Sequence, residues 1–399
     1  MKTNRKSYLA VALMVILTMV LAACGGTTPA ATPTTAAEPT ATTAAAAEPT
    51  ATTAAAAEPT ATSAAEAQPT TAAEGPFTIG ISNPFISSEY RTQMIQELID
   101  VNKEYMDQGI TTELVIESAD TDVPGQIQQL QNLISRNVDA ILVNPGDVNA
   151  LNATLTEAVN KGIIVISVDQ ELSTQGVYNV GIDQKEWAKT SAQWLADKLG
   201  GQGNIVLIEG IPGHPANVAR MEGVEEVLAE YPNISVLGRD TAGWDEATGQ
   251  QVMSNFLASF PNLDGYWTQD GMAIGAFQAV LAANPSKFPV PVLEARCQAL
   301  QLWDQRLQED PNFESIAVAN PPGVAPTGLR IAVNMLQGKQ VDESKLGGAN
   351  GLSFVIPVPV TVTKDNFRDV FDTQCKDKPA TYLLDGIMTD EEVQQFFTQ

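Results

Sequence analysis

The sequence predicts two doubly wound α/β lobes, carried behind an export signal and a long spacer. Short, continuous apolar runs alternate with helix-period segments from residue 77 onward, and the alternation comes as two consecutive series, the second starting near Gly181. Continuous rather than alternating apolar runs are what strands need when helices cover both faces of a parallel sheet. The stretch 76–399 is also long enough for two lobes with separate cores.

Lys2, Arg5 and Lys6 form a positive n-region, and residues 8–21 form an apolar h-region too short for a comfortable membrane span. It runs into Leu21-Ala22-Ala23-Cys24, which looks like a lipobox, so residues 1–24 read as a lipoprotein signal with Cys24 as the lipidated residue. An uncleaved anchor or an ordinary cleaved signal is the competing reading. Residues 25–75 are almost entirely Ala, Thr, Pro and Glu, with a repeat seen at Glu38-Pro39-Thr40, Glu48-Pro49-Thr50 and Glu58-Pro59-Thr60. Without large apolar side chains nothing offsets the entropy of ordering such a segment. Regular prolines bias it toward extended conformers, so it is expected to be a semi-stiff tether that holds the folded part away from a membrane.

In the first series, residues 77–81 read as a strand, followed by a helix with Met94, Leu98, Val101 and Tyr105 on one face and Ile95 and Ile99 beside it. Residues 114–116 are a second strand, followed by a helix carrying Ile127, Leu130 and Ile134. Residues 140–143 and 163–168 repeat the pattern. The second series has strands at 205–208, 234–237, 266–267 and 290–293, each followed by a helical stretch. Ligands of such sheets sit outside the carboxyl ends of the strands, so two facing lobes would direct both sets of strand ends at one cleft.

Composition narrows the chemistry. The chain has 22 Lys+Arg against 47 Asp+Glu, an acid excess that argues against a nucleic-acid partner. His214 is the one histidine, which leaves almost no parts for His-based nucleophilic or metal chemistry, and there is no Cys/His ligand cluster for zinc. Gly200-Gly201-Gln202-Gly203 lacks the Lys-Ser/Thr of a phosphate loop and precedes a strand. With Cys24 lipidated, Cys297 and Cys375 remain, and in an exported chain they suggest a disulfide, two free buried thiols being the alternative.

The loops after the strands carry the informative residues. Asn83-Pro84-Phe85 follows the first strand, with Glu89-Tyr90-Arg91 close behind; Phe85 could instead start a helix and enter the core. Val168-Asp169-Gln170 ends the fourth strand. Gly213-His214-Pro215-Ala216-Asn217-Val218-Ala219-Arg220 follows the strand at 205–208, with Gly223 three residues on. Thr268-Gln269-Asp270-Gly271-Met272-Ala273 ends the strand at 266–267, where Asp270 is expected to cap the next helix and at most one of Tyr266 and Trp267 to reach the cleft. Glu294-Ala295-Arg296 ends the next strand, and Asn320-Pro321-Pro322-Gly323 follows residues 315–319.

In order and spacing these segments resemble the periplasmic sugar-binding family that includes the ribose- and galactose-binding proteins, the type I solute-binding proteins of ABC transporters; the resemblance runs from residue 77 to about 363. It implies two Rossmann-like lobes joined by a three-segment hinge, with crossings near 181–183, Asn320 and 352–357. It also implies no catalytic activity and no cofactor. By the resemblance Phe85 lies on a sugar face, Asn83 belongs to the same loop, and Tyr90 and Arg91 match a subgroup with an aromatic–Arg pair. Asp169 matches the Asp of an Asp-Arg pattern whose carboxylate accepts from sugar hydroxyls, and Gln170 departs from its Arg. His214 and Arg220 match sugar-bonding positions, while Ala216 replaces an acid. Gln269 stands where the family has Asn, and Glu294, with Arg296 second, stands where it usually has Asp. Asn320 is the hinge amide. An aromatic face suits the C–H face of a sugar, and a guanidinium fork donates to adjacent hydroxyls without losing its charge.

The expected boundaries are 76–182 plus 320–353 for the N-terminal lobe and 183–319 plus 354–399 for the C-terminal lobe. The expected role is capture of a small solute, a mono- or disaccharide, by a monomer anchored outside the membrane through Cys24 and delivering to permease subunits. A co-receptor for a sensor kinase or chemoreceptor and an exported carbohydrate-active enzyme are the alternatives; the departures at Gln170, Ala216, Gln269 and Glu294 leave the particular sugar open.

Overall fold

The computed structural model describes residues 75–348 and 350–398. The signal segment, Cys24 and the tether up to residue 74 lie outside the described residues. Among the described residues no helix is long and apolar enough to cross a membrane.

The first lobe is built from β1 (Ile79–Asn83), α1 (Glu89–Asp107), β2 (Val115–Ser118), α2 (Val123–Ser135), β3 (Ala140–Val143), α3 (Asn152–Asn160), β4 (Ile164–Val168) and β5 (Val177–Gly181). The second follows with α4 (Gln184–Lys198), β6 (Gln202–Glu209), α5 (Pro215–Ala229), β7 (Asn233–Thr241), α6 (Glu246–Ser259), β8 (Gly265–Trp267), α7 (Ala273–Ala283), β9 (Val290–Glu294), α8 (Cys297–Glu309) and β10 (Ile316–Val318). The chain then returns to the first lobe for α9 (Val324–Leu336) and β11 (Ser353–Val355) and crosses again to β12 (Thr361–Val362) and the short α10 (Phe367–Val370).

The two sheets have the same plan. One runs β11-β5-β4-β3-β1-β2, all parallel; the other runs β12-β10-β9-β8-β6-β7, parallel except for the β10–β12 pair. This is the doubly wound pair of lobes that the alternating runs predict. The central strands are buried along their whole length, β1 and β3 at every residue, because helices cover both faces. On α1, Met94, Leu98, Val101 and Tyr105 are buried as the spacing requires, whereas Ile99 is exposed.

Helix starts sit where the strand-end loops place a capping oxygen. Ser88 accepts from the Arg91 N–H at the head of α1, Asp122 from Gly125 at α2, Asp183 from Lys185 and Glu186 at α4, and Asp245 from Thr248 at α6. The cap at Ser88 puts Glu89, Tyr90 and Arg91 in the first turn of α1, beside the strand ends. Helices α4 and α5 pack closely enough that a Cβ on Gly223 would stand 2.5 Å from the Lys185 carbonyl oxygen. A glycine in the middle of α5 is therefore a packing requirement, and it holds Arg220, one turn earlier, against α4.

Three crossings join the lobes, at residues 182–183, 319–323 and 356–360. The structure adds a fourth. After α10, Cys375 bonds to Cys297 (S–S 2.00 Å, Cα–Cα 5.2 Å), and the chain runs beside the head of α8, with Cys297 N–H donating to Tyr382 O and Leu384 N–H to Ala295 O. It then leaves the second lobe. Helix α11 (Asp390–Val393) meets α9 through Arg330 and Asp390 (2.9 Å), Phe396 packs on Phe354 of β11 at 5.2 Å, and Thr398 N–H donates to Gln340 O. The expectation that all of 354–399 belongs to the C-terminal lobe is corrected: residues 389–398 pack on the first lobe, because their apolar side chains Val393, Phe396 and Phe397 complete the core beside α9 and β11.

Candidate functional site

A strand end and the first turn of α1 supply a compact charged pair in the first lobe. Asp169, directly after β4, is held at φ +70°, a left-handed conformation uncommon for any residue with a Cβ. Its N–H donates to Val180 O, and its carboxylate lies 3.5 Å from Arg91 Nη2 and accepts from Gln170 Nε2 at 3.0 Å. Arg91 and Asp169 are both almost fully buried. A non-glycine residue persists in this region only where the surrounding structure holds it in place. Tyr90 donates its hydroxyl to Pro321 O at 3.2 Å, and burial together with the Asp169 charge raises its phenol well above the ordinary value.

The second lobe answers with Arg220, 3% exposed. Its guanidinium lies 4.1 Å over the Trp187 ring, its Nε donates to Gln184 Oε1 at 2.8 Å, its Nη1 donates to Gln269 Oε1 at 3.3 Å, and its Nη2 lies 3.9 Å from Asp270. Gln269 in turn donates to Asn217 Oδ1 at 2.7 Å and accepts from Trp244 Nε1 at 2.9 Å. His214 sets its ring edge-on to Trp244, 4.7 Å between centroids. Burial pushes His214 down to about 4, with Arg91 and Arg220 acting the same way against Asp169, so the imidazole is neutral near pH 7. Burial also pushes Asp270 up to about 6 against the pull of Arg220 and Arg296.

Asp169 of the first lobe is felt electrostatically by His214, Arg220 and Asp270 of the second, and by Tyr90 of its own. Tyr90, Arg91, Asp169, Gln170, His214, Arg220 and Gln269, all expected from the sequence, are thus brought together between the lobes. Two guanidinium–carboxylate pairs, one on each side, face a neutral imidazole, an indole and several amides. The set offers donors and acceptors in quantity and close to zero net charge.

Other expected residues are engaged elsewhere. Asn83 donates to Phe85 O at 2.8 Å and Ser118 Oγ at 3.0 Å, within its own lobe, and its Oδ1 is buried without a hydrogen-bond partner. Phe85 is 42% exposed on the loop before α1 and does not enter the core. Glu294 accepts from the Gly271 N–H at 2.5 Å and pairs with Arg296 Nε; burial pushes its carboxyl up to about 7. Arg296 also meets Glu246 at 2.8 Å and, across the lobes, Glu89 at 3.5 Å. Asn320 accepts from Gln184 Nε2 at 3.4 Å, which links the second crossing to Arg220 through one side chain.

The expectation that Asp270 caps a helix is corrected, whereas the bound of at most one on Tyr266 and Trp267 is met. Asp270 does not cap α7, whose N-cap is Met272 with no side-chain bond; Gly271 at φ +78° turns the chain first and gives its N–H to Glu294. Tyr266 and Trp267 are both fully buried, Trp267 with its Nε1 on Ser191 Oγ at 2.9 Å, so neither reaches the cleft.

The sequence reading missed Trp244, Gln184, Asn217 and Trp187. Trp244 sits in a slot made by two glycines at strand ends: a Cβ on Gly210 would come within 2.4 Å of its ring, and one on Gly271 within 2.5 Å of its carbonyl. Those glycines, each following a strand, were the available signal. Among the described residues no group of three or more His, Cys, Asp or Glu is placed to hold a metal ion.

Comparison with known proteins agrees with this architecture. A family model described as "Periplasmic binding protein domain" matches residues 79–340. A xylitol-binding protein of Mycolicibacterium smegmatis is 32% identical over 278 residues, covering 68% of this chain and 75% of that protein. A solved ABC transporter solute-binding protein from Bacillus halodurans with bound myo-inositol is 25% identical at a TM-score of 0.63, covering 76% of this chain and 99% of that one. A solute-binding protein of Thermobispora bispora reaches a TM-score of 0.69 at 22% identity, over 80% of this chain and 94% of that one.

Proposed function

The chain belongs to the periplasmic binding protein family, and from that premise we propose that it is the membrane-anchored capture component of an ABC importer for a sugar or sugar alcohol. The observation that carries the reading is the pairing of Arg91–Asp169 from one lobe with Arg220–Asp270 from the other around neutral donors and acceptors. Such a balanced set suits an uncharged polyhydroxyl solute better than an ion. A solute touching both lobes stabilises the closed form by the difference in its affinity for the two conformations. Micromolar binding corresponds to about −8 kcal/mol, within reach of several charge-assisted hydrogen bonds and a stacked aromatic. Relatives that bind xylitol and myo-inositol support the polyol class.

Cys24 would supply the anchor, the tether the reach, and permease subunits would take the solute from the closed form. The raised carboxyls of Asp270 and Glu294 are the features an exported glycosidase would need; Glu294, however, is taken up by Arg296 and the Gly271 N–H, which favours a binding role.

The test is thermal stabilisation and calorimetric titration with xylitol, D-ribose and myo-inositol on the wild type and on Asp169→Ala. At least one of these should raise the wild-type melting temperature, and the variant should lose that shift while remaining folded. No shift with a wider panel of sugars and polyols, or turnover of sugar oligomers, would overturn the reading.

A further inference from the structure

Glu89, Gln93 and Glu97 stand one turn apart on α1 and so share one face of the helix. None of the three belongs to the charged pairs of the cleft, yet each reaches or lies near a residue at residues 296–385. Glu89 lies 3.5 Å from Arg296 Nη1. Gln93 uses both ends of its amide on one residue, accepting from Leu383 N–H at 2.9 Å and donating to Leu383 O at 3.1 Å. Glu97 accepts from Gln93 Nε2 at 2.9 Å, and its Oε2, like Asp385 Oδ2, is buried without a hydrogen-bond partner.

Gln93 meets the strap that makes the fourth crossing, and Glu89 meets Arg296, which is bridged to Leu383 of that strap. Its base is fastened to the second lobe by Cys297–Cys375 and by backbone bonds from Cys297, Gln298 and Leu384 to Tyr382, Ala380 and Ala295. Its far end belongs to the first lobe: Asp385 accepts from Gly323 N–H at 2.8 Å, and Met388 N–H donates to Thr327 Oγ1 at 3.2 Å.

We propose that Glu89, Gln93 and Glu97 of α1, with Arg296 and the strap at 380–388, form a second clasp between the lobes, one that sets the open–closed balance without touching the solute. The proposal rests on the reading of the lobes as opening and closing. A buried carboxyl with a second carboxyl nearby is costly to ionise. Burial first, then neighbouring Asp385, push Glu97 up to about 9. The other groups around the pair are Asp100, Tyr90 and Tyr382, with Lys378 over the Tyr382 ring. The clasped carboxyl is raised above its ordinary value of 4.5, so the clasp is complete below that pH and is lost as pH climbs toward about 9.

The experiment is a spin-label distance measurement between Lys161→Cys on the first lobe and Glu225→Cys on the second, in the full-length chain with Cys24→Ser, at pH 5.5 and 9.5, with no solute added. The wild type should populate longer distances at pH 9.5, and Gln93→Ala and Glu97→Ala should do so at both pH values. Glu97→Gln, neutral at any pH and still able to accept from Gln93, should stay short at both. Hydrogen exchange at the Leu383 amide should be on the order of tenfold faster in Gln93→Ala, the loss of one buried hydrogen bond. Distances and exchange that are the same in all four proteins at both pH values would overturn the clasp. Because no solute is present, failure of every polyol to bind would sink the importer reading while leaving this result standing.

Discussion

Replacing Arg220 by methionine tests whether the buried guanidinium organises the second lobe's half of the cleft. The side chain is 3% exposed, so whatever it loses is not recovered by water. Its bond to Gln184 Oε1 at 2.8 Å involves a charged donor and contributes about 1.5–3 kcal/mol. The bond to Gln269 is longer, at 3.3 Å, and Trp244 Nε1 still serves that acceptor in the variant, so little is counted for it. Stacking on Trp187 at 4.1 Å contributes about 1–2 kcal/mol in a desolvated setting. Burial of the guanidinium works the other way, as its downward shift records, and methionine keeps most of the contact with the indole. The net expectation is a loss of about 3 kcal/mol in the urea unfolding of the chain and a fall of at least a hundredfold in polyol affinity, followed by tryptophan fluorescence and by titration calorimetry. Asp270, left without its nearer cation, should go up further from about 6. Arg220→Lys should recover little affinity, since an ammonium cannot reproduce the fork. A variant within about 1 kcal/mol of wild type that still binds would refute the reasoning.

Trp244→Ala should cost tenfold or more in affinity and also let His214 titrate closer to its ordinary value, an NMR-visible shift of the single histidine. Stability should fall as pH rises from about 5 toward 9, because Asp270, Glu294 and Glu97 hold protons in the fold at about 6, 7 and 9 that the unfolded chain has released; His214, pushed down to about 4, acts oppositely below its ordinary value of 6.5. A flat urea-midpoint profile across this range would contradict the burial of these carboxyls. Substituting both Cys297 and Cys375 by serine opens a cross-link of sequence separation 78 and should remove about 4 kcal/mol, measured without reductant in either protein. Gly223→Val should separate α4 from α5 at a cost of about 1–3 kcal/mol and weaken binding through displaced Arg220.

How much of this could be read beforehand follows from where each residue stands relative to a buried strand. Asp169 comes directly after a continuous apolar run and Gln269 one residue beyond one, and the end of such a run marks a carboxyl strand end without any knowledge of packing. Arg220 was legible through the resemblance, whose Arg-x-x-Gly pattern Gly223 completes, and the structure gives that glycine its reason in the close approach of α5 to α4. Trp244 was not, because β7 is the edge strand and its residues alternate between exposed and half-buried. Its apolar pattern stops at Leu237 while the strand continues to Thr241, so the loop bearing Trp244 did not register as a strand end. Asp270 failed as a cap because Gly271 delays the helix to Ala273, a decision taken by Glu294 from a different strand. The strap failed for a deeper reason. Its hold on α1 is made by a side-chain amide on a peptide group 290 positions away, which leaves no periodic trace. Groups that would face a solute are thus written locally, at strand ends, whereas groups that would govern closure exist only in the placement of one lobe against the other. Variants chosen from sequence patterns alone would therefore sample affinity for the closed form and leave the closing equilibrium untouched.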